Sequence, residues 1–484
     1  MRTTTTGRLP NSKKKVKRLQ WRVIQNRWNI RSNKRKIGAN TTSIGANAAG
    51  IQSNTDKSAA NMADILDSAA AIQDNAADIA GNLEQLQGAR TDLIGLEERV
   101  SDLEAAPPGS GDDGSRDFVL VDCNLNPNAL LDPPINGYFP DNTTYGLVGR
   151  CNGPLYVTED EVYFEGNSPD AAIVLPPGDA TAASNGAVFG DGAHNLQIRN
   201  LTIDALAWNS VVNEGTESAG VYARNAFVRV IDSDILGGEY GINPFRDAVV
   251  RLQGTVNVTD FLNVGISAGD HSLVTTRGQV NIATSITEGN FIIGLELYRG
   301  GNMDFRRGVT VSLPPGDQFP FPRAVAASNN SHLRIRQSGQ VNIGGNASMR
   351  SNSTLAMLGG ILAGNLDLEQ GSSAQLFGVI QNQGSNLFSG NSNLQSFDST
   401  LANTNVTEGS VAKLSGGELD GAIVLLNGFL SVQQGVSVTN LISASKPSVV
   451  DINDTNMNGN PLFFCDEDTA FFDASVTNPI DTCP

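Results

Sequence analysis

The chain has 484 residues, of which 39% are hydrophobic, 6% aromatic and 17% charged, and its formal net charge is −17. No stretch approaches the roughly 20 consecutive apolar residues of a membrane-spanning helix, so no membrane span is expected. The first residues are basic but lack the apolar core, about 7–15 residues long, of a secretory signal. Only the basic N-terminus favours nucleic-acid binding, which is therefore not expected.

Positive charge is concentrated at the N-terminus. Residues 1–50 contain thirteen Lys or Arg and no Asp or Glu, although the whole chain is acidic. Two aromatic residues seven positions apart lie among three arginines in this stretch: Trp21, Trp28, Arg22, Arg27 and Arg31. Aromatic side chains on one helix face favour docking against an acidic partner, such as a protein socket in a larger particle. The alternative is a solvated tail, and residues 1–15 are predicted to be a disordered or docking basic tail.

A seven-residue period runs from residue 16 to residue 103. Its first series is aliphatic in twelve of thirteen positions: Val16, Val23, Ile30, Ile37, Ile44, Ile51, Ser58, Ile65, Ile72, Ile79, Leu86, Leu93 and Val100. The second series, three residues later, contains eight asparagines: Asn26, Asn33, Asn40, Asn47, Asn54, Asn61, Asn75 and Asn82. A strict seven-residue repeat predicts a parallel α-helical coiled coil over residues 16–106, basic to residue 36 and Asn-layered to residue 82. A single amphipathic helix on a globular core, the alternative, would drift off this line.

The asparagine layers favour three chains. Three amide side chains can converge on a shared axis with their donors facing an anion or water. The heptads Ile37-Gly-Ala-Asn40-Thr41, Ile44-Gly-Ala-Asn47 and Ile51-Gln-Ser-Asn54-Thr55 resemble the stalks of trimeric autotransporter adhesins. That resemblance implies a homotrimer whose Asn rings hold anions, with chloride as the candidate, and no cofactor is expected. The C-terminal residues lack the alternating strands of an adhesin's membrane barrel, which disfavours the adhesin as a match for the whole chain.

A second kind of repeat follows a linker at residues 107–116 and a cap region at residues 117–190. Over residues 191–458, short aliphatic–x–aliphatic patterns recur about every 20 residues, with some longer intervals. Their first aliphatic residues are Leu196, Val228, Val250, Val274, Met303, Leu333, Leu355, Ala374, Leu394, Ala412, Leu430 and Val450. One strand pattern per repeat of this length predicts a right-handed, single-stranded parallel β-helix, an all-β solenoid, with a C-terminal cap at residues 459–484. A β-sandwich, the alternative, would show strands at shorter spacing.

The four cysteines form two pairs at the ends of this second region. Cys123 and Cys151 lie near its start, and Cys465 and Cys483 lie near its end. Two disulfides that staple the ends are predicted, and four free thiols are the alternative, because assembly in a cytoplasm is reducing. No spacing of cysteines or histidines typical of a metal site is present.

A trimeric coil followed by a β-helix resembles bacteriophage tail fibres and tailspikes. The resemblance lies in the architecture and implies a structural, receptor-binding protein of a virion tail or surface appendage, assembled in the host cytoplasm. Its N-terminus would dock into other virion proteins, and the β-helix would face a host surface glycan or protein. Two other hypotheses remain: a polysaccharide depolymerase of the same architecture, and a bacterial trimeric surface adhesin.

Chemistry is only weakly indicated. Tailspikes that cleave polysaccharide use paired carboxylates, and the candidates here are Asp232 and Asp234 on one strand, together with Glu239. Aromatic residues point to glycan binding in the early repeats, with Trp208, Tyr222, Tyr240 and Tyr298 as candidates; the alternative is that the tyrosines fill the core of the cap. Whether the chain is an enzyme stays open, and a binding protein is favoured.

Overall fold

In the computed structural model the chain divides into two units, Met1–Asp113 and Gly114–Pro484. The structure describes residues 15–43, 45, 47, 116–131, 139–176, 186–207, 218–286, 292–314, 322–336, 340–381, 384–420, 422–433, 436–438, 442–445, 448–452, 463–465 and 470–473. The predicted tail, linker and most of the coil lie outside these residues, and so do Asn54, Asn61, Asn75 and Asn82.

The described part of the first unit is a helix. Residues 15–43 are helical, as are residues 45 and 47. The Thr41 hydroxyl donates a hydrogen bond to the Ile37 carbonyl, 2.9 Å away, within this helix. Its seam side chains are exposed in the single chain, for example Val16 at 52% and Ile37 at 66%. The predicted helix is therefore confirmed, whereas the supercoil and the number of chains stay predictions.

No helix in the described part of the chain combines the length and the apolar character needed to cross a bilayer.

The described part of the second unit consists of short strands. In chain order they are β1 Asp117–Asp122, β2 Thr143–Val148, β3 Arg150–Asn152, β4 Leu155–Val157, β5 Val162–Gly166, β6 Ala172–Val174, β7 Gly186–Asp191, β8 His194–Arg199, β9 Thr202–Ala205, β10 Ala219–Arg224, β11 Phe227–Ile231, β12 Asp234–Gly237, β13 Tyr240–Phe245, β14 Val249–Gln253, β15 Thr255–Thr259, β16 Val264–Ala268, β17 Leu273–Thr276, β18 Gln279–Ala283, β19 Ile293–Leu297, β20 Asn302–Phe305, β21 Val309–Ser312, β22 Arg323–Ala327, β23 His332–Ile335, β24 Val341–Gly344, β25 Asn346–Met349, β26 Thr354–Leu362, β27 Leu366–Leu368, β28 Ser373–Gln381, β29 Ser385–Phe388, β30 Asn393–Leu401, β31 Asn403–Thr407, β32 Val411–Leu419, β33 Ile423–Leu426, β34 Phe429–Gln433, β35 Ser437–Val438, β36 Ile442–Ser445, β37 Val449–Ile452, β38 Phe463–Cys465 and β39 Ala470–Asp473.

These strands stack in three parallel ladders. Ladder 1 begins β1, β2, β5, β8, β11 and continues with the first strand of each later rung. Ladder 2 begins β3, β6, β9, β12, β15. Ladder 3 is a sheet running β4, β7, β10, β13, β16, β19, β22, β25, β27, β29, β31, β33, β36, β38. One rung is thus a strand from each ladder, as in a parallel β-helix, and the three ladders enclose one hydrophobic core.

The predicted repeat corresponds to one register position of ladder 1. Each of the twelve aliphatic residues from Leu196 to Val450 pairs with its counterpart in the next rung. All twelve are buried. A rung buries its inward side chains only against neighbouring rungs. The interval from one of these aliphatic residues to the next is therefore the number of residues in one rung. The parallel solenoid is confirmed at this level.

The early and late rungs differ in shape. Long rungs carry inserted segments between their strands, whereas β26, β28, β30 and β32 each run through ladders 1 and 2 as one nine-residue strand. Each of these strands bends at a residue with positive φ, such as Gly378 at 61° and Asp398 at 48°. Glycine and the short polar residue Asp are the types that tolerate this conformation.

The ladders already include β1 to β7, which lie in the predicted cap region. Phe139 packs against Tyr145 and Phe164 with ring centroids 5.3 Å apart in both pairs. Burial raises the pKa of the Tyr145 hydroxyl to about 12. A disulfide joins Cys123, just after β1, to Cys151 in β3, with Cα atoms 5.0 Å apart. The side chains of Cys465 and Cys483 lie outside the described residues.

Candidate functional site

The predicted carboxylate pair does not share a strand. Asp232 lies in the turn between β11 and β12 with φ of 46°, and its Oδ1 accepts a hydrogen bond from the Thr255 backbone N–H at 2.9 Å. Asp234 begins β12, and its Oδ1 accepts a hydrogen bond from Asn257 Nδ2 at 2.6 Å. Both carboxylates therefore bind the following rung of the solenoid, which is a structural role.

A Gly-x-Val-Asn motif, which occurs in the sequence at Gly254, Gly278 and Gly339, continues this connection. Asn281 Nδ2 donates to Asn257 Oδ1 at 2.8 Å, one rung further on. The first position of the motif has no room for a side chain, because a Cβ on Gly278 would overlap the Gly254 carbonyl oxygen. The motif is thus explained by stacking of amide side chains beside a close backbone approach.

A different set of side chains is brought together on ladder 3. One register position of this ladder runs through successive rungs, and we call it the ladder 3 column: Tyr156, Phe189, Tyr222, Asn243, Ser267 and Glu296. Its neighbours Val221, Ile242, Ile266 and Leu295 belong to the main core. Because side chains alternate between the two faces of a strand, the column lies on the outer face of the sheet.

The first half of the column is aromatic. Tyr156 packs on Phe189 and Phe189 packs on Tyr222, with centroid distances of 4.7 and 5.0 Å. Phe189, Ala219 and Tyr222 form a buried cluster separate from the main core. Tyr156 itself is exposed and marks the accessible end of this stack.

An ion pair borders the aromatic stack. Arg224 Nε donates to Asp191 Oδ1 at 2.8 Å, and the Tyr156 hydroxyl donates to Asp191 Oδ2 at 2.7 Å. Hydrogen bonding from Arg224 lowers the pKa of the Asp191 carboxyl. The same network raises the pKa of Tyr156, chiefly through its hydrogen bond to Asp191. The tyrosine ring is therefore held in one orientation on the stack.

The second half of the column is polar and covered. Asn243 is only 1% exposed, and its Oδ1 has no hydrogen-bond partner within the described part of the chain. Ser267 is fully buried, and its hydroxyl donates to Glu296 Oε2 at 3.0 Å. Burial raises the pKa of Glu296, and the negative charge of Glu239 raises it further, while the Ser267 hydrogen bond opposes both.

Glu239 is the one predicted carboxylate that lies beside this column. Its Oε1 accepts a hydrogen bond from Asn263 Nδ2 at 2.9 Å. The negative charge of Glu239 is among the causes that raise the pKa of Glu296, so these two carboxyl groups form an interacting acidic pair beside the column.

The predicted aromatic residues are partly brought together. Tyr222 is in the column, and Tyr240 packs against the cluster around it. Tyr298 follows β19, and its ring lies against Gly269 at a distance that leaves no room for a side chain there. Trp208 lies outside the described residues. The tyrosines are thus divided: Tyr222 and Tyr240 border ladder 3, whereas Tyr145 fills the core of the first rungs together with Phe139 and Phe164.

Sequence reasoning missed Tyr156, Phe189, Asn243, Ser267 and Glu296. A signal exists in the pattern Gly–aliphatic–x, where x is the column residue: Gly220-Val-Tyr222, Gly241-Ile-Asn243, Gly265-Ile-Ser267 and Gly294-Leu-Glu296. Each glycine lies against the next rung, since a Cβ on Gly265 would approach the Gly294 carbonyl oxygen to 2.7 Å and would overlap Ile282 Cγ2. These glycines mark the column from Tyr222 to Glu296, whereas Tyr156 and Phe189 follow Pro154-Leu and Ala187-Val and carry no such signal.

Comparison with family models, curated proteins and solved structures finds no match to this chain. Among the described residues, no group of three or more His, Cys, Asp or Glu side chains is arranged to hold a metal ion.

Proposed function

We propose that this chain is a receptor-binding fibre or spike protein of a phage virion, which binds a glycan of the host surface along the ladder 3 column. The observation that carries the proposal is the aromatic stack of Tyr156, Phe189 and Tyr222, whose exposed end at Tyr156 lies beside the ion pair of Asp191 and Arg224.

The chemistry of the column suits a sugar. Aromatic faces such as that of Tyr156 offer an apolar surface to the C–H side of a pyranose ring. The Asp191 carboxylate and the Arg224 guanidinium, which border the stack, supply hydrogen bonds to its hydroxyls. Successive rungs are about 4.7–4.9 Å apart, a spacing close to the length of a sugar unit, so a chain of several sugars would lie along the ladder.

The N-terminal part of the proposal rests on the exposed seam of the helix. A helix with Val16, Val23, Ile30 and Ile37 exposed along one line gains stability when this line is covered by other helices. We propose that three copies cover it, with Asn26, Asn33, Asn40 and Asn47 facing the axis and binding an anion such as chloride. Trp21 and Trp28 are exposed in the single chain and suit docking into another virion protein.

Binding is tested with purified capsular polysaccharides and lipopolysaccharides immobilised on a sensor surface. One of them is expected to bind the full-length protein, and Tyr156→Ala is expected to weaken that binding at least tenfold. Phe118→Ala, an exposed ring on β1 away from the column, is the matched control and should leave binding unchanged. Equal losses in both variants, or none in either, would remove the column from the proposal.

A second function is favoured by the acidic pair. In this function Glu296 donates its proton to the leaving oxygen of a glycosidic bond, and Glu239 takes a proton from the water whose oxygen bonds to the anomeric carbon as that bond breaks. Incubation with the bound polysaccharide should then release reducing ends, and Glu296→Gln should abolish this release while binding persists. Binding without any new reducing ends would leave the receptor-binding function alone.

A further inference from the structure

An apolar strip lies on the compact late rungs. The outward side chains on either side of the bends of β26, β28 and β30, which we call the strip, are Thr354, Ala356, Leu358, Ile361, Ser373, Gln375, Phe377, Ile380, Asn393, Gln395, Phe397 and Thr400. Phe377 and Phe397 stack with centroids 4.7 Å apart and planes inclined by 10°. They are nevertheless 38% and 36% exposed, and Ile380 is 49% exposed.

The twelve side chains of the strip are uncharged, and charge lies at its two ends and at one bend. One register position of ladder 1 reads Arg334, Ala356, Gln375, Gln395 and Lys413 in consecutive rungs. In the ladder 2 half, Ile361, Ile380 and Thr400 are followed by Glu418. Asp398 lies at the bend of β30 between the two halves, and its carboxylate lies against Gly416 of the next rung. Asp398 is thus the one charged residue between the halves of the strip in these three rungs, and its carboxylate is directed toward the next rung.

We propose that the strip packs against the same strip of two further copies of this chain, a step that rests on the proposed homotrimer. Parallel chains in register bring the same rung of each copy to the same height, and residues next to a three-fold axis then meet their own copies. A charged residue there would face its own charge, which is destabilising, whereas stacked phenylalanines gain from burial. A partner of a different kind could carry the opposite charge at the same place, so it would not require an uncharged surface.

The amide groups fit the same contact. Gln375 Nε2 donates to Gln395 Oε1 at 3.3 Å along the strip, which leaves further amide donors and acceptors for the neighbouring copies. Amides are self-complementary, because each carries both a donor and an acceptor. The strip therefore combines aromatic residues with a polar group that can pair with its own copy.

Cysteine cross-linking of the full-length protein tests the proposal. Ile380→Cys and Thr400→Cys place a thiol in the strip, and Leu426→Cys places one at a similarly exposed position, 51%, on ladder 3. After mild oxidation, the strip variants are expected to form a covalent dimer on non-reducing gels, with the third chain unlinked. Leu426→Cys and the unsubstituted chain are not expected to do so, and matching circular dichroism spectra would show that all variants fold.

Light scattering on the same samples tests the homotrimer separately from the contact between strips. A trimer mass without strip-specific cross-links overturns the strip and leaves the homotrimer standing. A cross-link that is as strong in Leu426→Cys as in the strip variants also overturns it. A monomer mass overturns both the homotrimer and the strip, and protection of the strip by an added polysaccharide would assign it to a glycan instead.

Discussion

At the scale of single residues, the chemistry of each carboxylate depends on its register in the solenoid more than on its sequence neighbours. Asp232 and Asp234 are close in sequence but hold consecutive rungs together. Glu239 and Glu296, 57 positions apart in sequence, influence each other across the rungs. Sequence reasoning identified Glu239 but could not identify its companion, because the intervening segments vary in length and hide the register.

Replacing Glu296 with glutamine, which does not titrate, should change how the free energy of unfolding depends on pH. A raised folded-state pKa means that the folded chain holds this proton more tightly than the unfolded chain. The resulting stability is present below the unfolded value, 4.5, and is lost as the pH rises through the folded pKa. Glu296→Gln keeps an acceptor for Ser267 without titrating, so its free energy of unfolding relative to the unsubstituted chain should rise as the pH increases above the unfolded value of 4.5.

Urea unfolding at a series of pH values measures this difference. Glu418→Gln, which removes a carboxylate at an exposed position of β32, is the control for loss of a charge. A relative stability of Glu296→Gln that stays constant with pH would contradict the burial of its carboxyl as the cause.

Asp234→Ala separates structure from catalysis. It removes the acceptor for Asn257 Nδ2, and loss of one such hydrogen bond should cost about 0.5–1.5 kcal/mol. Polysaccharide binding and cleavage should stay unchanged, as judged by the sensor and reducing-end measurements. Loss of cleavage with unchanged stability would restore Asp234 as a catalytic candidate.

At the scale of elements, the inward positions were predictable and the outward ones were not. An inward position must be aliphatic in every rung, so the twelve residues from Leu196 to Val450 stand out in the sequence. An outward position is free to vary, and the ladder 3 column changes from tyrosine to asparagine, serine and glutamate. The sequence also does not predict that ladders 1 and 2 merge in β26, β28, β30 and β32, because the merging depends on single residues with positive φ such as Gly378 and Asp398.

The glycines of the Gly–aliphatic–x pattern should be intolerant of any side chain. In Gly265→Ala the new Cβ would meet the Gly294 carbonyl oxygen at 2.7 Å and would overlap Ile282 Cγ2. Overpacking of this kind typically costs about 1–3 kcal/mol, which thermal unfolding would detect as a lower midpoint. Gly192→Asn is the control, since a Cβ at this position would have no atom within 4 Å and Asn tolerates positive φ; an equal loss in both variants would refute packing as the reason.

At the scale of the whole molecule, the two kinds of repeat differ in whether one chain can bury its own apolar side chains. The solenoid repeat does so, because the ladders bury Leu196 and its counterparts within one chain. The heptad repeat does not, because Val16 and Ile37 stay exposed on a lone helix. The sequence therefore predicts the solenoid from a single copy but predicts the coil only together with its partners, whose number depends on the asparagines.

In the proposed trimer, replacing seam asparagines should stabilise the coil while weakening its preference for three chains. Ile at positions 26 and 33 buries apolar side chains, each worth about 1.5–3 kcal/mol, so Asn26→Ile with Asn33→Ile should raise the melting temperature of the helical signal at 222 nm. Because a polar layer fixes register and chain number, light scattering should then show masses other than the trimer, and the melting temperature should no longer fall when chloride is exchanged for a large organic anion. Gln25→Ile with Ser32→Ile, one position away from the seam, is the matched control. If the control raises the melting temperature as much as the seam variant does, or if the unsubstituted protein is indifferent to chloride, the asparagines do not face a shared axis.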